Sequence, residues 1–246
     1  MEEQTKDRRG RLSALDSFFA EAKAYSKAKE AGRENANVAP MHVPAWEAML
    51  PWARGQLPLM IHADEVRQIQ SALRWASTNG YKMILAGGRD AWMLADDLRE
   101  RRVPVIYEAV FTLPPRDIDS YDVQFRAPAV LFHAGVRVCF GYGGRNEAST
   151  VRNLPYAAAQ AVAFGLPREE AWKGLTLYPA EILGVTNRLG AILPGREATF
   201  FASDGDILDI RSAVNRVWIA GREVSLETRH TRLYEKYRRR PKPESP

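Results

Sequence analysis

The residues 57–66, LPLMIHADEV, carry an apolar run into a histidine and two carboxylates. His62 therefore stands at the end of a segment whose neighbours favour burial. A histidine so placed is either a metal ligand at the mouth of a barrel or the remnant of one. Asp64 and Glu65 could add oxygen donors, yet they open a helical pattern, where a carboxylate ordinarily caps. Asp90, after the Gly87–Gly88 pair, invites the same reading. Glu108 closes a third apolar run beside Tyr107. Inward and outward positions alternate along a strand, so only one of that pair can face the same side as His62. A lone carboxylate there could act as a base only with a metal or a partner acid.

Other reactive types stand apart. His42, His133 and His230 are isolated, and the chain holds no His-x-His. His133 reads as a cap near a helix end. The single Cys139 excludes a disulfide framework and a cysteine-rich zinc site, and on an apolar strand it reads as core. The glycine-rich GYGGRNEAS precedes a helix, so Gly143, Gly144, Arg145 and Asn146 could hold an anion on backbone N–H groups. It lacks a P-loop lysine and dinucleotide-loop spacing, and a plain connecting loop is the competing reading.

The elements that must position these residues follow from periodicity. Leu15, Phe18, Phe19, Ala22 and Tyr25 share one helical face, and a second short helix begins at Pro44. From Leu57 strand and helix alternate: LPLMIHA, YKMILAGG, VPVIYEA and VRVCFGYGG are apolar strands, each followed by a helical pattern or a loop and helix. Short, nearly continuous apolar strands suit a parallel sheet buried on both faces. Four such units mean a barrel piece or a doubly wound sheet. PREEAWKGLTLYPAEILG reads as one helix, and SAVNRVWIAGREV as a strand–turn–strand around Gly221.

Composition bounds the class. The 246 residues are 46% hydrophobic and 26% charged, an ordinary globular balance. No apolar run approaches the roughly 18–20 residues of a membrane helix, and the charged start is no secretory signal, so a soluble, cytoplasmic protein is expected. The net charge of +5 is partly local: RHTRLYEKYRRRPKPESP gathers five arginines and two lysines. Such a tail is expected to be an unordered terminus, with nucleic-acid or acidic-lipid binding as the competing reading.

Three spaced motifs then carry a resemblance. Thr176, Pro179, Ala180, Leu183 and Gly184 form the first; Gly190, Ile192, Gly195 and Ala198 the second; Val214, Val217 and Gly221 the third. Their order resembles the closing section of the amidohydrolase superfamily, nearest its imidazolonepropionase-like branch. The resemblance implies the last four strands of a (β/α)8 barrel, the carboxyl-terminal half of such a protein. It divides the chain into an N-terminal helical segment (1–56), a half-barrel of four βα units with following helices (57–186), a β-rich closing segment (187–228) and the basic tail (229–246).

The same resemblance implies a metal-dependent hydrolase of carbon–nitrogen bonds other than peptide bonds, with zinc or iron and a small-molecule substrate. In that family the ligands are a His-x-His, a Lys or Glu, two further histidines and an aspartate at strand ends. His62 matches one of these. Gly87 and Gly88 stand at the next, and Gly141, Tyr142 and Gly143 where the aspartate belongs. The expectation is a truncated protein with a degraded metal site that holds no catalytic metal alone. A non-catalytic scaffold or ligand-binding relative is the alternative. Two open sheet edges further imply a homo-oligomer or a complementary N-terminal half, unless residues 12–54 cover an edge.

Overall fold

The computed structural model describes residues 2–35, 37, 39–143 and 149–239. Two helices lead, α1 (Glu2–Glu34) and α2 (Pro44–Ala53). Then come β1 (Leu59–Ala63), α3 (Val66–Asn79), β2 (Met83–Gly87), α4 (Ala95–Glu100), β3 (Val105–Tyr107), α5 (Val123–His133) and β4 (Val138–Phe140). The four strands form one parallel sheet in sequence order, β1-β2-β3-β4. This is the α/β architecture expected.

Register explains how the sheet sorts its side chains. Ile61 pairs with Leu85, Leu85 with Val105, and Val105 with Val138. These share a face and join the main core with Ile69 and Leu73 of α3, Leu98 of α4 and Leu131 of α5. The other face presents His62, Ala86, Ile106 and Cys139 in register. There Ile84 and Cys139 pack against Tyr178 and Ile182. β2 is buried at all five positions, as a central parallel strand should be. β1 is not: Met60 and His62 are exposed while Ala63 is buried. It is an edge strand with one face open, where sequence reading expected burial on both.

After β4 the chain forms α6 (Leu154–Ala163), α7 (Arg168–Leu175) and α8 (Leu177–Ile182). The single helix expected over 167–184 breaks at Thr176. Pro179 explains the break: it lacks the N–H that would bond to Leu175, and its ring crowds that carbonyl. Gly190 must then be a glycine. Its φ is +95°, and a Cβ there would lie 2.6 Å from Ala180 Cβ and 3.2 Å from the Thr176 carbonyl oxygen. That close approach gives one residue of the second motif a structural duty.

β5 (Phe200–Ser203), β6 (Val214–Ile219) and β7 (Arg222–Val224) make a separate antiparallel sheet. Ile219 pairs with Arg222 across Ala220 and Gly221, both at positive φ, the two-residue turn that matches strand twist.

Two expectations about the ends need restating. Residues 229–238 of the basic tail form a helix, α9, capped by Thr228, whose hydroxyl accepts the Thr231 N–H at 3.1 Å. That reciprocal capping overrides the run of like charge. α1 packs mainly along α2, with Phe18 5.2 Å from the Trp46 ring and the Tyr25 hydroxyl donating to Glu47 at 2.6 Å. It also reaches the end of α3, where Phe19 lies 5.6 Å from the Trp75 ring and 5.0 Å from Tyr81, and Trp75 Nε1 donates to Asp16 at 2.7 Å. Among the described residues no strand pairs with the free side of β1, and Met60 remains 52% exposed.

Candidate functional site

The carboxyl ends of β1 and β3 bring together the residues that sequence left separate. His62 Nε2 donates to Glu108 Oε2 at 3.1 Å, and Nδ1 lies 4.0 Å from Asp64 Oδ2. The strand parity that aligns His62 with Ile106 puts Glu108, two residues on, on the same side. Tyr107 takes the opposite side, wholly buried, its hydroxyl donating to the Gln124 side chain. Burial, then Asp90 and Asp64, push the Tyr107 phenol above its ordinary value. Glu108 is thus no lone carboxylate: it holds the Nε2 proton of His62. Its register with His62 was the available signal.

The glycines shape the same place. Gly87, at φ +85°, lies between the two strands; a Cβ there would stand 2.7 Å from Asp64 Oδ1 and 3.0 Å from His62 Nε2. One on Gly141 would sit 2.5 Å from Ile106 Cγ2, and one on Gly143 would fall on the Glu108 carboxylate. Gly88 is also left-handed, at φ +71°. The acidic and imidazole groups occupy the volume that side chains on these strand ends would need. Gly144, Arg145 and Asn146 of the proposed anion loop lie outside the described residues.

The fit to a metal can be tested on the donors themselves. The Nε2 of His62 is engaged by Glu108. Among the described residues no group of three or more His, Cys, Asp or Glu side chains is placed to hold a metal ion. One imidazole with a carboxylate on its donor nitrogen does not meet the three protein ligands and open position of a catalytic zinc. The described residues do not fit the family's metal.

The remaining reactive residues have other duties. Asp90, 1% exposed, receives both terminal nitrogens of Arg116, at 2.9 and 3.0 Å, and the Val66 N–H at 3.3 Å. It therefore caps α3 and anchors the loop after β3. Asp90 and then Asp119, as hydrogen-bond acceptors, raise the Arg116 pKa further. The sequence held no signal for this pairing, 26 residues apart. Glu65 is the N-cap residue of α3, its N–H donating to Gln68. Burial, with Glu108 second, pushes the Cys139 thiol up to about 12, which fits a core residue and not a nucleophile. His133 ends α5 and lies 3.4 Å from the Gly165 carbonyl oxygen. His42 and His230 are exposed.

Beside the His62–Glu108 pair opens a cleft of about 700 Å3, lined in part by Glu108, Phe111, Gly141, Tyr142, Asn153 and Tyr156. It offers one carboxylate, two phenols, two threonine hydroxyls and an amide among apolar side chains such as Val110, Phe111 and Ile210, the mix expected of a small-molecule site.

Known proteins agree with this architecture. An amidohydrolase from Thermotoga maritima MSB8 superposes with a TM-score of 0.76 at 27% identity, over 89% of this chain and 56% of that one. A zinc-bound adenosine deaminase from Xanthomonas campestris shares the fold, with a TM-score of 0.51 at 18% identity over 77% of this chain and 52% of that one. "Amidohydrolase tasK" of Hapsidospora irregularis is 34% identical over 80 residues, 32% of this chain and 8% of that protein. The chain thus spans about half the length of these solved relatives and far less of the curated one. Among the described residues no helix is long and apolar enough to cross a membrane. The profile of the amidohydrolase family matches residues 57–224, covering all four parallel strands and the small sheet, and the chain belongs to that family.

Proposed function

We propose that this chain is the carboxyl-terminal half of an amidohydrolase of the imidazolonepropionase-like branch, and that its four parallel strands are the last four of a (β/α)8 barrel. The whole protein's reaction class is then hydrolysis of a carbon–nitrogen bond other than a peptide bond in a small molecule. Zinc or iron would polarise the scissile group and activate water in such a protein. Within this chain His62 is the one position matching the family's metal ligands. Glu108 fixes the tautomer and orientation of that imidazole, and the adjoining cleft receives the substrate's body.

The observation that carries the reading is the meeting of His62 and Glu108 at the carboxyl ends of the strands, the face where barrel enzymes place their chemistry. The glycines at 87, 141 and 143 favour a second reading, a non-catalytic or ligand-binding relative, because neighbouring groups fill the space further ligands would need. Elemental analysis of the purified chain, with His62→Ala alongside, separates the two. Near-stoichiometric zinc or iron that is lost in the variant supports the hydrolase. Metal-free protein in both cases means that this chain holds no catalytic metal by itself, and it favours the scaffold reading for the chain on its own.

A further inference from the structure

The strands have a second end, and it carries its own concavity. At the amino-terminal ends of β2–β4, away from His62, two adjoining clefts of about 490 and 440 Å3 share Arg102, Val103, Pro104, Glu181 and Ile182. Phe132, Val136 and Tyr178 add apolar wall to the first. Among the described residues Glu181 is the only carboxylate lining either cleft, against Arg99, Arg102 and Arg137 in one and Lys82, Arg101 and Arg102 in the other.

Several of these cations are engaged. Arg99 is paired with Asp96 and Glu100 at 3.5 and 3.7 Å, and Arg101 donates to Ser77 at 2.6 Å. Arg137 is set in place: its guanidinium lies 4.1 Å over the Tyr178 ring and its Nε 3.4 Å from Glu181. A guanidinium held over a ring and beside a carboxylate keeps its remaining N–H groups in a fixed direction.

Arg102 is the unexplained residue. It follows the C-terminus of α4 at φ +55°, with its N–H on Arg99 and the Val103 N–H on Leu98. Helices that end this way favour glycine there, since a Cβ is strained in the left-handed region. The chain follows that rule elsewhere. Gly55, Gly80, Gly135, Gly165 and Gly184 close α2, α3, α5, α6 and α8 at positive φ. Only after α4 does an arginine stand in the position. Among the described residues its guanidinium makes no hydrogen bond or ion pair that would repay the strain within the fold.

We propose that this cleft binds a small organic anion, its phosphate or carboxylate on Arg102 and Arg137 and its apolar body against Phe132, Val136 and Ile182. The site is separate from the His62 cleft and does not depend on the proposed hydrolysis. Calorimetric titration of the full chain with phenyl phosphate, benzoate and inorganic phosphate tests it. Arg102→Gly supplies the residue the backbone prefers, so it removes the guanidinium without threatening the fold. Arg238→Gly on α9 removes an equal charge elsewhere. Phenyl phosphate or benzoate should bind the native chain at least about tenfold more tightly than inorganic phosphate. Whichever of the two aromatic anions binds more tightly identifies the head group. Arg102→Gly should weaken that binding by about tenfold or more while its Tm holds or rises; Arg238→Gly should leave it unchanged. Absence of binding by either aromatic anion at millimolar concentration, equal affinity in Arg102→Gly, equal loss in Arg238→Gly, or inorganic phosphate binding as tightly would each overturn the proposal.

Discussion

Arg116→Ala tests the clearest energetic statement the structure makes. Arg116 joins Asp90, 1% exposed, through two parallel hydrogen bonds, and meets Asp119, 9% exposed, at 3.0 Å. Its loss leaves one carboxylate buried with a single backbone N–H at 3.3 Å, and a second nearly buried with its partner gone. Removing one member of a buried pair typically costs about 3–5 kcal/mol. Arg116 itself is 35% exposed, so water reaches part of the pair and the low end, about 3 kcal/mol, is expected. For a chain of this length that is roughly a 6–12 °C fall in Tm. Urea unfolding followed by tryptophan fluorescence gives the free energy directly. Adding Asp90→Asn removes the stranded charge, so the double variant should recover at least about 1 kcal/mol relative to Arg116→Ala alone. A single variant within about 0.5 kcal/mol of the native chain, or a double variant that is simply additive, would show that the Asp90 site is not dry and refute the reasoning.

Two further outcomes follow from the site. Gly87→Ala places a Cβ at φ +85° and 2.7 Å from Asp64; that side chain and His62 are exposed enough to turn aside, so the backbone strain dominates at about 1–2 kcal/mol. Thermal denaturation reads this, and a variant as stable as the native chain would mean that the turn after β2 does not need its glycine. Cys139 ties stability to alkaline pH. Its thiol is raised from 9.0 to about 12 in the fold, so the contribution is full below about pH 9 and is lost as pH rises through about 12. Denaturation midpoints should fall across that window, less steeply in Cys139→Val, and equal slopes would contradict it.

The sequence by itself determined the order of elements and the orientation of single positions. Apolar runs of strand length separated by helical periods point to a parallel sheet, because a helix between two strands returns the chain to the same end of the sheet, and alternation along VIYE puts Tyr107 and Glu108 on opposite faces. Motif spacing around Pro179, Gly190 and Gly221 carried the family because those residues answer local demands: a missing N–H, a close approach and a tight turn. What joins distant segments was decided only by tertiary structure. That His62 meets Glu108, 46 residues away, depends on the register of β1, β2 and β3 and on the absence of a side chain at Gly87. That Asp90 serves Arg116 and α3 rather than the mouth depends on how the loop after β3 folds back. A single residue's propensity acts within a turn or a strand. The energy of a buried ion pair, or the meeting of an imidazole and a carboxylate, exists only once the chain has brought both partners together.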